Sequence, residues 1–152
     1  MIKNCDFSLK HYFDVLVSLK NEYAIGTLKE FERLKKSKKF IILRHDVDFS
    51  LEYALELAKK ESEHKIRSTY FVLFNGEYYN PFDNKNSKII KEISDLGHEI
   101  GLHYDTSFLP KSSRKEIEII KKEINMLEII THKKIISVAQ HVPSETDRKS
   151  VV

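Results

Sequence analysis

The sequence predicts an α/β fold in which parallel strands alternate with covering helices. From Phe40 onward, short strand-like runs alternate with amphipathic helical patterns in the order β-α-β-α-β-α-β. Ionisable residues also gather just after several of those runs. Parallel α/β folds collect ligand and catalytic groups at these carboxyl ends of strands.

Each element has its own local reason. Tyr12, Phe13, Leu16, Leu19 and Tyr23 fall at helical spacing, predicting a helix from Phe7 to about Tyr23 with Ser8 as N-cap. Thr27 and Glu30 make a capping box for a short helix with the stripe Leu28, Phe31 and Leu34. Phe40-Ile41-Ile42-Leu43 is wholly apolar with the β-branched pair Ile41-Ile42, and reads as a strand buried on both faces. Ser50 caps a helix carrying Leu51, Ala54, Leu55 and Ala58. The second strand is Ser68 to Phe74, rich in aromatic and β-branched residues. A loop from Asn75 to Asn86 follows, and Ser87 opens a helix with Ile89, Ile90, Ile93 and Leu96. Gly97 is placed as its C′ residue. Glu99 to Leu102 is the third strand. Ser113 and Glu116 form a further capping box before the stripe Ile117, Ile120, Ile124 and Leu127, and Ile135 to Ala139 is the fourth strand.

Composition narrows the function classes. At 152 residues the chain is one domain at most, and 41% hydrophobic with 32% charged residues is ordinary for a globular protein. A net charge of +3 is weak. Its one dense basic run, Lys35-Lys36-Ser37-Lys38-Lys39, reads as a solvated linker rather than a nucleic-acid patch. The single Cys5 excludes an internal disulfide and a Cys-rich zinc site, and reads as a small buried residue. No stretch approaches the ~20 apolar residues of a membrane span, and the N-terminus has no signal-peptide core. The expected location is therefore cytoplasmic. The expected organisation is an N-terminal helical segment (1–39), an α/β domain (40–146) and a non-native tail (147–152), because Asp147 to Val152 has no pattern of its own.

The chemistry is expected where Leu43-Arg44-His45-Asp46-Val47-Asp48 leaves the first strand. Two carboxylates spaced i, i+2 beside an imidazole can hold a divalent metal and leave one carboxylate as a base. Gly97-His98-Glu99-Ile100-Gly101-Leu102-His103-Tyr104-Asp105 surrounds the third strand. His98 and His103 have opposite parity and so point to opposite faces. His103, read as lying past the strand end, is the ligand candidate, and His98 is structural. His141 follows the fourth strand and is a candidate ligand or catalytic group. His11, His64 and His132 read as surface residues. Arg44, His45, Tyr104 and Asp105 flank these groups as candidate substrate contacts.

These two motifs together resemble the polysaccharide deacetylase superfamily (NodB-like, carbohydrate esterase family 4). The family's first motif is Thr-Phe-Asp-Asp-Gly and its second begins Gly-His-Glu-Ile-Gly-Asn-His-Thr. The resemblance covers residues Phe40 to Ser144 and implies part of a distorted (β/α) barrel that hydrolyses acetyl groups on sugars. It implies Asp46 as catalytic base, Asp48 and His103 as metal ligands, and a divalent metal, zinc foremost, with Ni²⁺, Co²⁺ or Mn²⁺ also compatible. The inserted Val47 leaves an exchange of the two Asp roles open. The family's second ligand His falls on Ser107, a poor ligand, so His141 is the alternative third ligand. The family's later strands and its general-acid His lie beyond the end of this chain, so the chain as it stands is expected to lack turnover. The implied substrate is an N-acetylated sugar or glycan precursor. A non-catalytic carbohydrate-binding or surface-polysaccharide assembly protein is the alternative. A phosphoesterase is disfavoured because only Arg44 and Arg67 lie near predicted strands.

Overall fold

The computed structural model describes residues 8–108 and 113–141. The side chain of Ser113, Cys5 and the tail beyond residue 141 lie outside that description. The capping box at Ser113, the packing of Cys5 and the nature of the tail therefore stay expectations.

Helix α1 (Leu9–Leu19) starts where Ser8 accepts a hydrogen bond from the His11 amide, 3.1 Å away. It ends four residues before Tyr23, because the chain turns there into a strand that periodicity did not reveal, β1 (Ala24–Gly26). The Thr27–Glu30 capping box forms as expected and opens a single 3₁₀ turn, Leu28–Glu30, followed by the short helix α2 (Phe31–Leu34).

The expected first strand is in fact two. β2 (Phe40–Ile42) pairs in parallel with β1 in a small sheet, and its residues are only half-buried. β3 (Arg44–Val47) belongs to the main sheet. The charged motif is thus carried on a strand rather than beyond one. The reason is that one edge of β3 pairs with a buried neighbour, while its side chains alternate between the core and an open face.

The main sheet continues with β4 (Thr69–Leu73), β5 (Glu99–Asp105) and β6 (Val138–His141), all parallel, in the order β3-β4-β5-β6. The connections are α3 (Leu51–Glu63), α4 (Asn84–Asp95) and α5 (Ser113–Thr131). Together they make a curled half-barrel with helices on its outer face. Ser50 caps α3 as expected. Helix α4 begins earlier than predicted, because Asp83, not Ser87, provides the cap by accepting from the Lys85 amide at 2.9 Å. Gly97 ends α4 at φ +95°, a left-handed conformation that favours glycine.

Alternation sorts the side chains. Val47, Tyr70, Val72, Ile100 and Leu102 face the helices and pack with Leu51, Ala54, Ala58, Ile90, Ile93 and Leu127. On the inner face, Thr69, Glu99 and Ser137 form a polar floor. The Thr69 hydroxyl donates to Glu99 at 2.9 Å and the Ser137 hydroxyl donates at 2.5 Å. The segment after β1 plugs this end: the Leu28 amide donates to Thr69 and the Lys29 amide to Glu99. One layer up, Phe71 is fully buried and lies against Gly101. A Cβ on Gly101 would fall 2.5 Å from the Phe71 ring and 3.0 Å from the Ser137 carbonyl oxygen.

A second polar centre lies between the sheet and α3. Glu61 is fully buried and accepts hydrogen bonds from the hydroxyls of Tyr12 (2.5 Å), Ser68 (2.5 Å) and Tyr70 (2.8 Å). His45 Nε2 is 2.8 Å from the same carboxylate. Burial alone would raise this carboxyl, but the hydrogen bond and charge of His45, with the Ser68 and Tyr12 hydroxyls, hold it below the usual carboxylate range. His98 is a buried structural residue, as expected. Its Nδ1 accepts from the Ser68 amide at 3.2 Å and its Nε2 donates to the Ala58 carbonyl at 2.9 Å.

Gly101→Ala should destabilise the protein by about 1–3 kcal/mol, because the Phe71 ring and the Ser137 backbone must both shift. Urea unfolding of the two proteins measures this, and equal midpoints would contradict the packing described. His98 gives a second expectation. Burial holds its ring below the ordinary value of 6.5. A depressed folded-state pKa means that the unfolded chain binds the proton more readily, so stability falls as pH drops below 6.5. In His98→Gln, whose amide can supply both the donor and the acceptor, the loss between pH 7.5 and pH 5.5 should be smaller. Parallel urea titrations at the two pH values test this.

Candidate metal centre

The carboxyl ends of β3, β5 and β6 bring Asp46, Asp48, His103 and His141 together. β5 runs on to Asp105, so His103 lies inside the strand rather than past its end. The extension places His103 on the inner face, together with Asp46 across the sheet. His103 is 2% exposed. Its Nδ1 lies 3.0 Å from the Ala139 carbonyl oxygen. A carbonyl only accepts, so Nδ1 carries the proton and Nε2 presents a lone pair when the ring is neutral.

That lone pair points into a small triangle. His103 Nε2 is 3.4 Å from Asp48 Oδ1 and 3.2 Å from His141 Nδ1, and His141 Nδ1 is 3.6 Å from Asp48 Oδ1. Ligands at ~2.0–2.1 Å around a tetrahedral ion would stand about 3.3–3.4 Å apart, so the spacing suits such an ion. Asp48 Oδ1 is buried, has no hydrogen-bond partner among the described residues, and is aimed at both imidazoles. A buried carboxylate oxygen left without a donor is costly unless a cation is nearby. The donor set, two imidazole nitrogens and one carboxylate oxygen, suits a borderline divalent cation.

Asp46 stands beside the triangle, with Oδ2 3.9 Å from His103 Nε2. Arg44 reaches it from the same face of β3: Nη2 donates to both carboxylate oxygens at 2.7 and 2.8 Å, and Nε donates to Oδ1 at 3.0 Å. The guanidinium lies over the Phe71 ring, 4.8 Å from its centre. The packing of Phe71 against Gly101 therefore supports Arg44, and Arg44 holds Asp46.

The flanking candidates separate. Arg44 is engaged by Asp46. His45 points its Nε2 away from the triangle, into the Glu61 carboxylate, although its ring also lines a cavity. Tyr104 alternates onto the opposite face from His103 and packs against the helix-side core. Asp105 lies at the mouth of the site, and its Oδ1 accepts from the Ser107 amide at 2.7 Å. Ser107 lines the same cavity as His141 of β6.

Two cavities meet at Asp48 and Phe49. One, of about 440 Å³, runs along β3 and the start of α3 past Tyr53. The other, of about 390 Å³, lies under the loop after β4. Phe49 and Tyr78 stand exposed on the shared rim with ring centres 4.8 Å apart. Sequence reading did not single out this aromatic pair, although Phe49 is adjacent to Asp48 in the chain. Glu61 was also missed, but it carried a signal. It continues the spacing of Leu51, Ala54 and Ala58 along the buried face of α3, where a carboxylate needs partners.

Among the described residues no helix is long and apolar enough to cross a membrane. Comparison with protein-family models and with curated proteins gives no match. Solved structures do match. A CE4 family pseudoenzyme from Bacillus anthracis aligns over 65% of this chain at 24% identity with a TM-score of 0.51. A mutant of that pseudoenzyme with restored enzymatic activity aligns over 68% at 23% identity with a TM-score of 0.53. A further mutant aligns over 65% at 25% identity with a TM-score of 0.51. The chain spans about a third of the length of these structures, 34% to 36%. The half-barrel order and these structural neighbours agree, and the chain has a divergent CE4, polysaccharide-deacetylase-like fold.

Proposed function

We propose that the protein binds a divalent metal, zinc foremost, on Asp48, His103 and His141, and that it belongs to a hydrolase removing an acetyl group from an N-acetylated sugar or glycan precursor. The observation that carries the reading is the buried Asp48 Oδ1, which has no hydrogen-bond partner among the described residues and faces two imidazoles. A metal bound there supplies Lewis acidity toward a carbonyl and lowers the pKa of water.

The chain's own groups have definite tasks. Asp46 accepts the proton of the attacking water. Arg44 grips both of its oxygens, which fixes their direction. The Ala139 carbonyl fixes the ring of His103 and its tautomer. The exposed Phe49 and Tyr78 rings offer apolar faces beside the site against which a sugar ring can lie. Asp105 at the cavity mouth is an acceptor for hydroxyl groups.

The second reading, a non-catalytic relative, draws on the neighbours, which include a pseudoenzyme and a mutant of it with restored enzymatic activity. Ser107 at the family's second ligand position favours it as well. Metal content and turnover separate the two.

Titration with Zn²⁺ should show one site per chain, abolished in Asp48→Ala and retained in Asp46→Asn. The opposite pattern would mean that the insertion of Val47 exchanges the two roles. In a protein extended to the length of its structural neighbours, Asp46→Asn should lower deacetylation of N-acetylated sugars by about 10²–10⁴-fold at unchanged metal content. A wild-type protein of that length that binds metal without turnover would support the non-catalytic reading. Removal of metal by a chelator should abolish activity, and added Zn²⁺ should restore it.

A further inference from the structure

β3 and β6 are the two edge strands of the main sheet, and β3 with the residue after it carries both carboxylates of the site. β3 has β4 as its only ladder partner among the described residues. Its inner face carries Arg44 and Asp46, and Asp48 follows immediately. An edge strand held from one side can tilt or slide, and a small displacement would open the 3.4 Å spacing between Asp48 and His103.

The outer face of the same strand carries one polar side chain, His45, directly between Arg44 and Asp46. Its ring meets Glu61 of α3 at 2.8 Å and packs against the Tyr70 ring, 4.8 Å between centres. Glu61 is fully buried, and its donors come from α1 (Tyr12), β3 (His45), β4 (Tyr70) and Ser68 just before β4. Burying a carboxylate is costly before its partners are counted, and an apolar side chain would fill the same space without that cost. The metal-site reading makes no use of Glu61 itself.

We propose that His45 and Glu61 form a positioning pair that fixes edge strand β3 to α3 and thereby holds Asp46 and Asp48 opposite His103 and His141. The proposal rests on the metal reading given above. Glu61 acts through His45, whose Nε2 turns away from Asp48, His103 and His141 and into the Glu61 carboxylate. Tyr12 extends the anchor to α1, so the N-terminal helix contributes to the geometry of the site.

The test compares His45→Ala, His45→Gln and Glu61→Gln with the wild type, by Zn²⁺ affinity against a competing chelator and by amide hydrogen exchange. His45→Ala should weaken Zn²⁺ binding about tenfold, in the range seen when supporting residues of metal sites are removed. It should also speed exchange at β3 while leaving β5 protected. His45→Gln retains a side-chain donor and should lose less than about threefold. Glu61→Gln should behave like His45→Ala if it folds; if it does not, the two His45 variants decide. Equal effects of His45→Ala and His45→Gln, or wild-type affinity and β3 exchange in His45→Ala, would overturn the proposal. A wild-type protein that binds no Zn²⁺ would count against the metal reading, and the exchange at β3 alone would then decide the anchor.

Discussion

The parallel pairing of β3, β4, β5 and β6 decides where each polar side chain of this site can go. In a parallel ladder every strand presents its carboxyl end to the same rim, and consecutive residues alternate between faces. Asp46 and His103 therefore face one another across the inner side, while His45, Tyr70 and Tyr104 turn to the helices. A shift of register by one residue would send both Asp46 and Asp48 into the apolar core. The inner face is built in layers that protect this register. Thr69, Glu99 and Ser137 form a hydrogen-bonded floor, Phe71 fills the space left by Gly101, and Arg44 and Asp46 rest above it.

The same alternation separates two carboxylate environments a few residues apart in space. Glu61 is saturated with donors and stays ionised although buried. Asp48 has one buried oxygen with no donor among the described residues, facing two ring nitrogens. The first arrangement is complete as it stands and organises structure. The second is the arrangement on which the proposed cation site rests.

Much of this was legible in the sequence, for physical reasons. Strand and helix order came from long apolar runs and strong caps such as Ser50, and the metal candidates came from ionisable residues at strand ends. The errors have reasons too. β1 is only Ala24–Gly26, too short for any periodicity. Arg44-His45-Asp46-Val47 reads as a loop because the inner face of a half-barrel is polar, so charge in the sequence does not end the strand. His103 was placed beyond its strand for the same reason. The bond between His45 and Glu61 joins residues sixteen apart through tertiary packing, and only the misplaced carboxylate in an apolar stripe hints at it.

The central claim is that Asp48, His103 and His141 form one metal site, and X-ray absorption at the zinc edge of the Zn²⁺-loaded protein tests it most directly. The account predicts a first shell of nitrogen and oxygen at about 2.0–2.1 Å, with the outer-ring scattering of two imidazoles. His141→Ala should reduce that scattering to one imidazole. A shell of oxygen alone, or an unchanged spectrum in His141→Ala, would contradict the site.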